Sequence, residues 1–121
     1  MRKLLLSLAV LIISLGGIRE AAAQLPTGDE VMTRCQKLHS DGVGLIVRAK
    51  GSSKGKKIGS LQAGEKVQLG GEDNGPDLVR PAIQVEADGS YWIQIKKPLA
   101  GWVLFASKAD PKFHYLIPCQ E

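Results

Sequence analysis

Aromatic side chains make up only 5% of the 121 residues, and histidine and cysteine occur twice each. These scarcities exclude chemistry at once. A Cys–His hydrolase needs an activated free thiol with an imidazole and an orienting group in reach. Here only Cys35, Cys119, His39 and His114 could supply them. A phosphate-cradling loop of the G-x-x-x-x-G-K-[ST] kind is also missing. Gly51 and Gly55 are separated by only three residues, and Lys56 is followed by Lys57. Glu72, Asp73 and Asp77 lack the regular ligand spacing of a calcium loop, and surface solubility accounts for them. No stretch between residues 35 and 121 repeats apolar side chains at a period of 3.6, so helices are not expected to build the domain. Neither catalysis, a metal nor a cofactor is expected.

The long apolar run is confined to the N-terminus. Met1-Arg2-Lys3 is positive, Leu4–Leu15 is uncharged, and Ala21-Ala22-Ala23 supplies small residues before Gln24. That order predicts a secretory signal peptide over 1–23, cut after Ala23, with a run too short to span a bilayer. Its removal leaves 98 residues, enough for one small domain. Three bases and one acid leave with it, so sixteen against twelve becomes thirteen against eleven, a net charge of +2. The mature protein is predicted to be secreted or periplasmic, without a transmembrane segment. Its modest charge and its export both argue against nucleic acid as a partner.

Outside the cytoplasm two cysteines read as a disulfide. A Cys35–Cys119 bond would tie the first strand to the last segment and contribute roughly 4 kcal/mol through loop closure. The alternative is a zinc site built from Cys35-x3-His39 and His114-x4-Cys119.

What is present is a succession of short strand-like runs separated by turns. Residues 24–34 are mixed and polar and read as a flexible lead-in, with the domain over 35–121. Leu45 and Val47 alternate with Ile46 and Arg48, and Val67 and Leu69 with Lys66 and Gln68. Gly64-Glu65 reads as a tight turn, and Gly70–Pro81, rich in turn formers and acids, as a surface loop. Asp88-Gly89 joins two runs as a two-residue hairpin turn. Beyond it Tyr91, Ile93 and Ile95 share one strand face, and Trp92, Gln94 and Lys96 the other. Val103 and Phe105 likewise oppose Trp102 and Leu104. The fold class expected is all-β: a small antiparallel barrel or sandwich.

Six short motifs in order resemble a bacterial SH3 (SH3b) domain. They are Gly44–Arg48, Gly51–Ser53, Ile58–Leu61, Gly64–Val67, Trp92–Ile95 and Gly101–Val103. The small secreted single-domain type seen in cyanobacteria is the nearest in kind. The loop lacks the proline frequent at Gly51-Ser52-Ser53, and Gly70–Glu86 is longer than the usual connection. The resemblance implies a small SH3-like barrel, here closed by the disulfide between its ends. It also implies a binding module, often directed at peptidoglycan or other envelope components.

The segment Gly44–Leu61 carries five positive charges (Arg48, Lys50, Lys54, Lys56, Lys57) and no acid. It reads either as a solvated hairpin loop or as a rim facing anions such as stem-peptide carboxylates or anionic envelope polymers. Trp92 and Trp102 either stand exposed for flat ligand surfaces or pack under a loop. The expected binding set is Arg48, Lys54, Lys56, Lys57, Trp92, Trp102 and Tyr115. The alternatives to an envelope ligand are docking of a secreted or periplasmic protein and a purely structural envelope role.

Overall fold

The computed structural model describes residues 30–40 and 44–120. The expected signal peptide and most of the lead-in lie outside them. Among the described residues there are eleven strands and no helix. They are β1 (Met32–Thr33), β2 (Cys35–Leu38), β3 (Leu45–Arg48), β4 (Lys57–Leu61), β5 (Lys66–Leu69), β6 (Gly71–Asp73), β7 (Leu78–Pro81), β8 (Ile83–Val85), β9 (Tyr91–Lys97), β10 (Gly101–Ala106) and β11 (Leu116–Pro118).

The main sheet runs in the order β11-β2-β5-β9-β10-β3-β4, with β8 pairing the first half of β9. Every pairing is antiparallel. The period-2 pattern decides which side is buried. Leu45 and Val47 of β3, Ile93 and Ile95 of β9, and Val103 and Phe105 of β10 enter one aliphatic core with Leu38, Leu61 and Leu69. Each such side chain contributes about 1.5–3 kcal/mol on burial.

The C-terminal segment closes onto the start of the domain. β11 pairs β2 through Leu116 and Leu38, and Cys119 donates its N–H to the Cys35 carbonyl at 3.2 Å. Cys35 and Cys119 form the expected disulfide, with Cα atoms 5.5 Å apart. This bond uses both sulfurs that the zinc alternative needed.

Three local expectations change. Gly70–Pro81, read as a loop, forms a hairpin of β6 and β7, to which β1 adds a third strand. The last lead-in residues are therefore paired, and Arg34 supplies the reason. Its guanidinium donates to the Gly75 and Leu78 carbonyls at 2.8 and 2.9 Å and pairs with Asp73. The third change is at Asp88-Gly89. The Glu86 carbonyl accepts from Gly89 N–H, and Glu86 N–H donates to the Ser90 carbonyl, both at 2.8 Å. The connection is thus three residues long, with Gly89 at φ +95°, the usual left-handed place for glycine in such a hairpin.

Candidate functional site

The outer face of the central strands carries the side chains that the core does not use. Cross-strand pairing sets Trp92 opposite Leu104 and Gln94 opposite Trp102, Trp102 opposite Arg48 and Trp92 opposite Gln84. Opposed residues project to the same face. Glu86 lies two residues beyond Gln84 and so shares that face, diagonal to Trp92.

The basic loop after β3 folds down over this face. Ala49 N–H bonds the Lys56 carbonyl at 2.8 Å, and Gly55 N–H the Ser52 carbonyl at 2.9 Å. A Cβ at residue 51 would lie 2.7 Å from Gln84 Oε1 and 3.1 Å from Trp102 Cε3, so glycine lets the loop approach this face without displacing either side chain. The loop is fastened by Glu86. Its Oε2 accepts from Ser52 Oγ at 3.0 Å and from Ser53 N–H and Oγ at 3.1 Å. Its Oε1 accepts the Trp92 indole N–H at 3.0 Å. That indole bond, followed by those from the Ser53 amide and the two serine hydroxyls, outweighs burial and holds the Glu86 carboxyl below the usual range.

Between this latch and the C-terminal segment lies a cavity of about 300 Å³, walled by Ile46, Arg48, Ser53, Glu86, Ser90, Trp92, Leu104 and Tyr115, with Gly44 and Leu45. Tyr115 is positioned by its backbone. Its N–H bonds the Phe105 carbonyl at 2.9 Å, and its own carbonyl accepts from His39 N–H at 2.8 Å. Arg48 Nη1 donates to the Gly55 carbonyl at 2.8 Å, which fixes the guanidinium at the cavity wall. Among the described residues Arg48 is in no ion pair.

The structure gathers part of the expected binding set and scatters the rest. Arg48, Trp92 and Tyr115 share the cavity wall. Lys54, Lys56 and Lys57 are exposed and lie off it. Trp102 is half-buried against Gly51, next to the cavity but not on its wall. Trp92 is 5% exposed, so the packed alternative holds for it: it forms a wall and not an open platform. Its indole N–H is bonded to the same carboxylate that holds the loop over this face.

Glu86, Ile46 and Leu104 were not among the expected site residues. Alternation alone placed Leu104 on the outer face, and Ile46 follows from the same period. Glu86 required the hairpin register, which sets it against Ser90 and diagonal to Trp92. Among the described residues no group of three or more His, Cys, Asp or Glu is placed to hold a metal ion. Comparison with protein-family models, curated proteins and solved structures finds no match to this chain.

Proposed function

We propose that the chain is an exported, non-catalytic binding domain with a small SH3-like barrel, and that it recognises peptidoglycan or another envelope component. The observation that carries this reading is the cavity: largely apolar walls and one arginine that has no carboxylate partner among the described residues, the usual make-up of a ligand site. The six sequence motifs support the SH3-like part. Gly44–Arg48, Ile58–Leu61, Trp92–Ile95 and Gly101–Val103 lead into or lie on β3, β4, β9 and β10, Gly51–Ser53 lies in the first loop, and Gly64–Val67 leads into β5. The disulfide fits an oxidising compartment, and among the described residues no helix is long and apolar enough to cross a membrane.

In this reading the site binds without covalent chemistry. Arg48 engages an anionic group of the ligand, and Trp92, Leu104, Ile46 and Tyr115 supply contact area. Lys54, Lys56 and Lys57 stand outside the cavity and attract anionic polymer at a distance, an effect that salt weakens.

The test is co-pelleting of the exported protein with purified peptidoglycan sacculi at low and high salt. Saturable pelleting is expected. Arg48→Gln should weaken it at both salts, while the triple change Lys54→Ala, Lys56→Ala, Lys57→Ala should remove mainly the low-salt enhancement. Absence of pelleting at either salt would rule out the wall ligand and leave a secreted or periplasmic protein as the partner to seek.

A further inference from the structure

Resting on the cavity as a ligand site, we infer that it is a chain-end pocket. It takes the last one or two residues of a peptide bearing a free C-terminal carboxylate, with that carboxylate on Arg48 and small apolar side chains against Ile46, Leu104 and Trp92.

The charges at the cavity are unequal in availability. Glu86 has both oxygens turned into the protein, one on the Trp92 indole and the other on Ser52 and Ser53. Among the described residues it forms no ion pair with Arg48. Of the five N–H donors of a guanidinium, Arg48 commits one, from Nη1 to the Gly55 carbonyl. A half-buried guanidinium with donors to spare, beside apolar walls, favours a planar anion that it can meet with two parallel hydrogen bonds. Partial exclusion of water strengthens that attraction over the same pair in solution.

The remaining walls choose among anions. A sugar acid would bring several hydroxyls, each needing a partner inside. The walls offer few side-chain hydroxyls, those of Tyr115, Ser53 and Ser90. Ser53 is on Glu86, and Ser90 is 9% exposed, with its amide on Asp88 at 2.8 Å. Unpaired hydroxyls against Ile46 and Leu104 would count against such a ligand. Inorganic phosphate would satisfy Arg48 and gain nothing from the apolar walls. A methyl-bearing chain end satisfies both. The volume agrees, since about 300 Å³ lies at the small end of ligand cavities and suits one or two small residues.

The exported protein would be titrated with N-acetyl-D-alanyl-D-alanine, with the C-terminal amide of the same dipeptide, and with glucuronate. The readout is the Trp92 indole N–H resonance. The acid should shift it saturably, and the amide should bind at least about tenfold more weakly because the charged hydrogen bonds are lost. Arg48→Lys keeps the charge but not the planar fork, and should weaken the acid severalfold while leaving the near-ultraviolet circular dichroism unchanged. Glucuronate should give no saturable shift. Equal binding of acid and amide, or an unaffected Arg48→Lys, would overturn the inference, and so would tighter binding of glucuronate. A silent dipeptide with sacculus pelleting that still depends on Arg48 would sink the chain-end assignment and leave the broader envelope reading standing. A silent dipeptide and no pelleting would remove both.

Discussion

Two charged excursions leave the core, and each is fastened by one side chain of opposite sign from elsewhere in the chain. The basic loop 49–56 is held by Glu86, and the acidic hairpin of β6 and β7 by Arg34. What separates them is the arginine at each. Arg34 gives hydrogen bonds to two carbonyls and an ion pair to Asp73, and these bonds hold a hairpin together. Arg48 gives one bond to Gly55 and is left facing a cavity. Two residues of the same type, on the same small domain, are distinguished by how many of their donors the protein uses. The first is structural, and the second is available.

The largest effect should come from the disulfide beside the Arg34 clamp. Replacing Cys35 and Cys119 with Ser together removes the closure of an 84-residue separation and should cost about 4 kcal/mol in denaturant unfolding. Hydrogen exchange should rise earlier in residues 71–81 than in 49–56, because Arg34 adjoins Cys35. Uniform exchange across both would show that the two regions are not independently fastened.

Arg34→Ala comes next. Loss of its bonds to two carbonyls should cost about 2 kcal/mol and free the β6–β7 amides to exchange. Unchanged exchange there would mean that strand pairing alone holds the hairpin.

A smaller global effect is expected from Glu86→Gln, with a pronounced local one. The amides of Ser53 and Gly55 should exchange about tenfold faster, and the Trp92 indole resonance should move. The same latch sets a pH dependence. Its carboxyl is depressed in the folded state, chiefly by the Trp92 indole bond. Its contribution is therefore complete above the ordinary glutamate range, declines once the unfolded chain protonates there, and is gone when the pH has fallen through the depressed value. The Trp92 indole signal should change with a midpoint below that of an ordinary glutamate. A midpoint at or above the ordinary glutamate value would contradict the hydrogen bonds assigned to Glu86.

The smallest effect concerns His114, whose ring lies 4.6 Å from that of Phe105 and whose buried Nε2 has no hydrogen-bond partner among the described residues. Burial lowers its pKa. The unfolded chain then takes up a proton before the folded one does, so stability should decline as the pH falls from the ordinary imidazole range towards the lowered value. His114→Phe should abolish that slope and raise stability by about 1 kcal/mol. A slope that persists in the variant would have to come from other groups.

The comparison also marks what could be read from the sequence. Period-2 alternation sorted Ile93, Ile95, Val103 and Phe105 inward and Trp92, Trp102 and Leu104 outward, because a strand leaves a side chain only two directions. The disulfide followed from compartment and count. The acidic hairpin was not legible: every residue of β6 is exposed, so no alternation marks it, and glycines with acids look like a loop. Its organiser, Arg34, lies 39 residues from Asp73, and no local pattern links the two. The fate of Trp92 was undecided for the same kind of reason. It depends on Glu86, whose position needs the exact length of the turn at Asp88-Gly89. Thus strand faces were local knowledge, while both fastenings were not.

If Arg48 serves the ligand and Arg34 the fold, one pair of variants separates them. The most direct measurement is sacculus binding of Arg48→Gln beside Arg34→Gln, expressed per folded molecule. Weakened binding with near-normal stability is expected for the first, and normal binding with lowered stability for the second. Wild-type binding by folded Arg48→Gln would contradict it.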